Sequence, residues 1–371
     1  MRRVPVLWVS GAPGVGKSTA GWDLYGRLGS AGRSVAYVDV DQLGLFAPDP
    51  PHDPGRHRLQ AANAVEVLVN FARHGAEQLI VSGVIDPQRG IDPYVRQASD
   101  LEVTLVRLRA DRSELRRRYL DRGSGVEQLD ELMVVADAYD QLNEGVTVDV
   151  TALTREQVLD ALLEIHDGTA QSTSADGPIA RIRPAALAEG GSVLVISGPT
   201  AVGKSTVGWN VFSALCERGL VSAYIDIEQL GFASSGPWWQ LKGDNLLSVW
   251  SGYRAAGAQC LVVVARGASD VYDDWLHADS VTRVHLDAKP GQLAKRVAQR
   301  IRGGGPRLAG DSLVGQPRAL QRGIASRAAE EAVELRRHVA SGHTVIDTSD
   351  HDPETVTRTI LGLLEPTLRA N

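Results

Sequence analysis

Two stretches of the chain spell one pattern, Gly11-Ala-Pro-Gly14-Val-Gly16-Lys17-Ser18-Thr19 and Gly198-Pro-Thr-Ala-Val-Gly203-Lys204-Ser205-Thr206. Both fit G-x-x-x-x-G-K-[ST], a loop whose parts have separate physical duties. The glycines let successive backbone N–H groups curl around an anion. The helix that follows aims its positive end at the same anion. The lysine reaches the outer phosphates, and the serine hydroxyl ligates Mg2+. Such a loop works between a strand and a helix. A β-branched run precedes each copy and a helical pattern follows it, so the pattern constrains the local fold twice.

The rest of the chain repeats with it. "VAYVDVDQLG" (Val35 to Gly44) matches "SAYIDIEQLG" (Ser222 to Gly231) at six of ten positions. "NAVEVLVNFARHGAEQLIV" (from Asn63) aligns without a gap on "NLLSVWSGYRAAGAQCLVV" (from Asn245), and "VTLVRLRADRSELRRRYLDR" (from Val103) on "VTRVHLDAKPGQLAKRVAQR" (from Val281). A last pair aligns on Asp149 and Asp347. A period of this length indicates a tandem repeat. The expected domains are 1–167 and 191–371, joined by a Gly/Ser/Thr/Ala/Pro-rich linker over 168–190. Within each, short β-branched runs alternate with helical patterns. In the first copy strands are expected near Val4–Ser10, Ser34–Asp39, Gln78–Ser82, Glu102–Arg107 and Val146–Val150. Alternation of this kind predicts an α/β fold, a parallel sheet with helices on both faces, present twice. Ligands then bind at the carboxyl ends of the strands.

Composition narrows the function. A net charge of −6 and a pI near 5.9 give no basic footprint for nucleic acid. No apolar run reaches the ~20 residues that span a bilayer. The opening "MRRVPVLWVSG" reads as a first strand feeding the loop rather than as a signal peptide. Cys216 and Cys260 have neither disulfide nor zinc spacing and suit a reducing, cytoplasmic setting. Of 39 cationic residues five are lysines, and Lys17 and Lys204 are two of those five. The arginine-rich usage fits a GC-rich bacterial genome.

Paired acids follow the second strand, Asp39 with Asp41 and Asp226 with Glu228. Alternate residues on a strand share a face. Both acids of a pair are therefore expected at the sheet's carboxyl end, one near Mg2+ and one receiving a proton from an acceptor hydroxyl. The competing reading is helix capping or a salt bridge. The loop, the acid pair and an arginine-rich helix after the fourth strand occur in that order in both copies. In this the chain resembles the P-loop small-molecule kinases, the shikimate, gluconate, adenylylsulfate and nucleoside-monophosphate kinases.

The resemblance implies ATP and Mg2+ as cofactors and a small-molecule acceptor. ATP would be held by Gly11, Gly14, Gly16, Lys17, Ser18 and Thr19, and again by Gly198, Gly203, Lys204, Ser205 and Thr206. Ser18 with Asp39, and Ser205 with Asp226, would hold the metal. Lys17 and Lys204 would neutralise the outer phosphates, while Asp41 and Glu228 would contact the acceptor. Lid arginines, Arg118 and Arg122 in the first copy and Arg296 and Arg300 in the second, would stabilise the transferred phosphoryl group.

The copies differ in ways that bear on the acceptor. The third strand ends in Ser82-Gly83 in one and Ala265-Arg266-Gly267 in the other, and neither offers the terminal Asp-Glu of motor or AAA-type ATPases. From Arg122 to Asp149 is 27 residues, against 47 from Arg300 to Asp347, so the second lid is fuller. Arg56, His57 and Arg58 follow the first acid pair, which suits an anionic acceptor. Trp238 and Trp239 follow the second, which suits a flat, nucleotide-like ring. "DTSDHDPE" (Asp347 to Glu354) resembles the segment where such kinases place adenine. Two alternatives stay open: one catalytic domain beside a non-catalytic nucleotide-binding one, and a nucleotide-binding regulator or weak ATPase. Nucleic-acid and membrane partners are not expected, and the chain is expected as a monomer or homodimer.

Overall fold

The computed structural model describes residues 3–96, 100–121, 129–170, 190–234, 238–267, 270–302, 308, 310, 317–339 and 342–370. The chain resolves into two compact units. The first comprises 1–44, 55–184 and 231–241, and the second 45–54, 185–230 and 242–371. These units depart from the continuous ranges expected from sequence in two short segments, 45–54 and 231–241.

In the first unit a six-stranded sheet has the order β6-β5-β1-β4-β2-β9. The strands are β1 (Val4–Gly11), β2 (Val35–Asp39), β4 (Gln78–Ser82), β5 (Leu101–Arg109), β6 (Val146–Asp149) and β9 (Phe232–Ala233). All pairings are parallel except β2 with β9. The helices are α1 (Lys17–Ser30), α2 (His57–Arg73), the short α3 (Asp92–Val95), α4 (Arg112–Asp121), α5 (Leu129–Gln141) and α6 (Arg155–Ala170). The second unit has the order β12-β11-β7-β10-β8-β3. Its strands are β3 (Phe46–Ala47), β7 (Ser192–Ser197), β8 (Ser222–Asp226), β10 (Cys260–Val264), β11 (Ser280–Asp287) and β12 (Thr344–Asp347). Its helices are α7 (Lys204–Glu217), α9 (Pro290–Ile301), α10 (Arg318–His338) and α11 (Pro353–Ala370). Helix α8 (Trp238–Ala255) begins in the segment assigned to the first unit and continues in the second.

The expected strands lie within a residue or two of those observed. Helix α6 runs to Ala170, into the stretch read as linker, and 171–189 lie outside the described residues. In each order the chain moves outward from β1 or β7 on one side and then returns to its other side. Both phosphate loops therefore lie at the carboxyl end of the strand where the order reverses, the place an open α/β sheet uses for ligands.

Central strands are buried on both faces, which is why they read as unbroken apolar runs. In the second unit Leu194, Ile196, Val211, Val262, Val264, Leu286, Leu293 and Ile360 form one core. In the first, Trp8 is buried edge-on against Tyr94 at 4.7 Å between ring centroids. Close approach explains the helical glycines. A Cβ on Gly208 would lie 2.6 Å from Val264 Cγ2, and one on Gly21 would lie 3.0 Å from Tyr37 Cε2. Glycine at these points lets the first turns of α7 and α1 settle on the sheet.

The edge strands differ by one residue of register. Phe232 of β9 sits opposite Tyr37 of β2 and stacks edge-on to Trp22 at 4.8 Å. In the second unit the chain has one more residue before its phenylalanine, Leu45-Phe46 against Phe232. There Phe46 pairs with Ala223, and Tyr224 N–H donates to Leu45 O at 2.8 Å. A one-residue slip turns every side chain to the other face. Leu45 accordingly packs on the core beside Tyr224, while Phe46 turns to Tyr253 at 5.9 Å. Trp209, the counterpart of Trp22, has no phenylalanine from the edge strand and stays 46% exposed.

Candidate phosphate-binding and phosphotransfer sites

Each loop is shaped by glycines that other residues could not replace. Gly11 and Gly198 have φ of +140° and +143°, and a Cβ on either would overlap a carbonyl oxygen of the neighbouring strand, Leu108 O or Leu286 O. The lysines fold back over their own loops. Lys17 Nζ donates to Ala12 O at 3.2 Å, and Lys204 Nζ to Gly198 O and Pro199 O, both at 2.9 Å. Burial pulls the Lys204 ammonium down to about 8, against the opposing pull of Asp226 and Glu331.

The hydroxyl and carboxylate expected at the metal position meet in both units. Ser205 Oγ donates to Asp226 Oδ2 at 3.1 Å, and Ser18 bonds Asp39 in the same way. Both aspartates are buried, at 8% exposure. Burial first, and the neighbouring acid second, push each carboxyl up to about 6. A hydroxyl beside a carboxylate is a hard oxygen donor set. It suits Mg2+, which takes one or two protein ligands and fills its remaining positions with phosphate oxygens and water.

The second acid of each pair arrives by a different route from the one expected. β2 ends at Asp39 and β8 at Asp226, so Asp41 and Glu228 are not strand residues. Each follows in a short 3-10 turn, Val40–Leu43 or Ile227–Leu230. The preceding aspartate caps that turn, accepting from Asp41 N–H and Glu228 N–H at 3.1 Å. Capping and site-building are thus one arrangement. Asp41 Oδ1 also accepts from Val84 N–H at 3.0 Å, whereas Glu228 Oε2 accepts from Lys242 Nζ at 2.8 Å. The first acid therefore leans on backbone and the second on a cation.

The arginines separate. Arg118 donates to Val15 O and Val150 O, both at 2.9 Å, tying the first loop to the segment after β6. Arg296 does the same in the second unit, donating to Val202 O at 2.8 Å and Thr348 O at 2.7 Å. Both sit against the base of the loop. Arg300 lies near enough to Lys204 to push its ammonium down. Arg117 pairs with Glu114 and Asp121 on the exposed face of α4. Arg122 lies outside the described residues. Arg296, Gln299, Arg300, Thr206, Thr348 and Pro353 line a cavity of about 560 Å3 in the second unit. It reaches the segment that the sequence linked to adenine.

Three placements were not legible beforehand. Tyr139 on α5 is buried, its hydroxyl within 3.2 Å of Ser10 Oγ, bonded to Ile85 N–H at 2.8 Å and to Ile85 O at 2.9 Å. Glu331 on α10 accepts from Thr200 N–H of the second loop at 2.8 Å. Trp238 and Trp239, read as an acceptor-side pair of the second copy, fall in the segment belonging to the first unit and are 57% and 51% exposed. A helical residue that reaches a loop far away in sequence leaves no periodic signal, so neither Tyr139 nor Glu331 stood out.

Two mostly parallel sheet units, each with a phosphate loop at its switch point and a hydroxyl–carboxylate pair beside it, define a P-loop α/β protein. Residues 7–134 match a family model described as an AAA domain. Strand β4 of that region ends at Ser82 and is followed by Gly83, not by paired acids. No curated protein matches the chain. Among solved structures, the Deinococcus radiodurans tunicamycin resistance protein is 17% identical over 44% of this chain and 96% of its own, with a TM-score of 0.34. A gluconokinase from Sinorhizobium meliloti is 17% identical over 47% and 99%, TM-score 0.33. A shikimate kinase from Aquifex aeolicus is 18% identical over 45% and 98%, TM-score 0.28. Among the described residues no helix is long and apolar enough to cross a membrane.

Proposed function

We propose that the protein is an ATP- and Mg2+-dependent phosphotransferase that moves the γ-phosphoryl group to a hydroxyl of a small-molecule acceptor, with a nucleotide site in each unit. The observation that carries this reading is the repeated constellation of Ser18, Asp39 and Asp41, and of Ser205, Asp226 and Glu228, each beside its loop lysine. A hydrolase needs a place for water at the terminal phosphate. A second acid held two residues beyond the metal-side aspartate provides instead a group to orient and deprotonate an acceptor hydroxyl.

Ser18 with Asp39, and Ser205 with Asp226, would hold Mg2+, whose charge would offset that of the outer phosphates. The chain's own groups would do the rest. Loop amides and Lys17 or Lys204 hold the phosphates. Asp41 or Glu228 accepts the hydroxyl proton. Arg296 braces the loop against the segment after β12, and Arg300, beside Lys204, supplies positive charge where the phosphoryl group leaves. Nucleotide would enter the second unit through the 560 Å3 cavity.

The test is transfer of labelled γ-phosphate from ATP to a panel of small hydroxylated and anionic acceptors. Replacing Lys17 and Lys204 together with Ala is expected to abolish it, and transfer surviving that double substitution would refute the reading. A second reading makes one unit a nucleotide binder without turnover. It is favoured by the unequal surroundings of the two acids, with Glu228 neutralised by Lys242 while Asp41 is not. Single variants at Lys17 and Lys204 separate the two readings, because only one would then lose turnover.

A further inference from the structure

In the second unit a side-chain carboxylate is bonded to one amide of the phosphate loop. Glu331 Oε2 accepts from the backbone N–H of Thr200 at 2.8 Å. Its other oxygen accepts a fork from Arg266, Nε at 2.8 Å and Nη2 at 2.6 Å. Burial alone would raise this carboxyl, but Thr200 and Arg266 outweigh it and hold Glu331 below the usual range, so it is an anion. A loop that cradles phosphate oxygens thus holds a side-chain oxyanion on one of its amides. The pair lies at the carboxyl end of the sheet, where the chemistry is expected: Arg266 is two residues beyond the end of β10, the strand between β7, which leads into the loop, and β8, which ends in Asp226.

Among the described residues the first unit has no such arrangement, and its sequence removes the amide that would serve it. The residue equivalent to Thr200 is Pro13, which has no N–H to donate. The residue equivalent to Arg266 is Val84, whose own N–H is taken by Asp41. Loop donor and guanidinium are both absent there, although the loops are otherwise alike.

We propose that Glu331 and Arg266 form a latch on the second loop that a nucleoside triphosphate opens and a diphosphate leaves shut. In the latched state the carboxylate takes the amide that a terminal phosphate oxygen would take. A γ-phosphate competes for Thr200 N–H with a higher charge and displaces Glu331. Arg266, released from its partner, is then free to pair with the phosphate or with an anionic acceptor. A diphosphate leaves that amide to Glu331 and does not disturb the pair. Glu331 is thereby a specificity-determining residue for the triphosphate state of the second site, which rests on the nucleotide reading proposed above.

The experiment uses the full chain carrying Lys17→Ala, so that calorimetry with Mg2+ reports the second loop. Binding of a non-hydrolysable ATP analogue and of ADP is compared with and without Glu331→Ala, and again with Glu331→Gln. Alanine is a good helix former within α10, and a thermal melt of each variant checks that it is folded before binding is read. Loss of the latch is expected to tighten the triphosphate analogue about tenfold, the scale of one charge-assisted contact, and to leave ADP within about twofold. The glutamine variant, which keeps an acceptor but no charge, is expected between the two. Equal changes for both nucleotides, no change, or weaker binding of the triphosphate would overturn the latch. Adding Lys204→Ala keeps the two proposals apart. If that variant still binds nucleotide, the nucleotide reading itself fails; if it does not while Glu331→Ala treats both nucleotides alike, the latch alone fails.

Discussion

Replacing Asp226 with Asn should make the nucleotide-free protein more stable while weakening its hold on Mg2+. The carboxyl is 8% exposed and pushed from 3.8 to about 6, mainly by burial and next by Glu228. A carboxyl raised by the fold is favoured when neutral. Its contribution to stability is therefore greatest below 3.8, is lost as pH rises, and is gone above about 6. A shift of about two units at ~1.4 kcal/mol each gives about 3 kcal/mol of destabilisation at pH 7.5. Asparagine removes the charge and keeps the contacts, accepting from Glu228 N–H and meeting Ser205 Oγ with its amide. For a unit of this size that corresponds to a rise of about 6–12 °C in the melting transition of the second unit. Thermal unfolding without nucleotide, followed from pH 5 to pH 7.5, reads it directly, and the gap between variant and native protein should shrink to about half at pH 5. The same variant should lose the Mg2+ dependence of nucleotide binding at the second loop. An Asp226→Asn protein that melts at or below the native one at pH 7.5 would refute the argument that this acid is held charged at the fold's expense.

Lys204 has the opposite sign. Burial lowers its ammonium to about 8, and bound phosphate restores the charge, so affinity at the second loop should fall as pH rises past 8. At pH 8.5 binding should take up about three quarters of a proton at this site, measured by calorimetry in buffers of different ionisation enthalpy; no uptake would count against it. Gly208→Ala should cost about 1–3 kcal/mol, since its Cβ meets Val264 at 2.6 Å. Gly26→Ala, on an open position of α1, should be neutral or stabilising by up to about 1 kcal/mol, and denaturant melts of the two variants test the contrast. Expressing 1–167 and 191–371 as separate chains should leave each without its edge strand, β9 or β3, and exposing an unpaired β2 or β8 edge. Soluble, cooperatively melting separate halves would contradict the importance of those strands.

The sequence made the phosphate loops and the strand–helix alternation legible because both are written in short local runs, and the Ser18–Asp39 and Ser205–Asp226 pairs, each 21 residues apart, follow from placing loop and second strand side by side in that order. Gly11 and Gly198 must be glycine wherever the loop occurs, and Val4–Gly11 is apolar on both faces because both are covered. The acid pairs were found by a strand argument that the structure replaces with a capped turn. Asp-x-Asp spacing serves either geometry, and the structure brings the two acids together through a capped 3-10 turn instead of along one strand face. Arg118 and Arg296 stood out as arginines on a helix, but bracing a loop through carbonyls distant in sequence is a tertiary fact.

Edge-strand choice was the least legible feature, and the reason is physical. "LGLFAPD" and "LGFASSG" each signal a short apolar run after an acid pair, which is enough for a strand. Strand propensity is local; the partner is not. β3 pairs with β8 and β9 with β2, although β2 lies nearer to β3 in the chain. Either phenylalanine could lie along either edge as far as pattern goes. What separates them is Leu45, the added residue that turns Phe46 toward Tyr253 and puts leucine where Phe232 stands in the first unit. Tyr37 and Trp22 offer a ring surface that phenylalanine fills, and Tyr224 offers one that leucine fills. The choice is thus made by side-chain fit across a two-residue ladder, whose backbone bonds alone are too few to specify it.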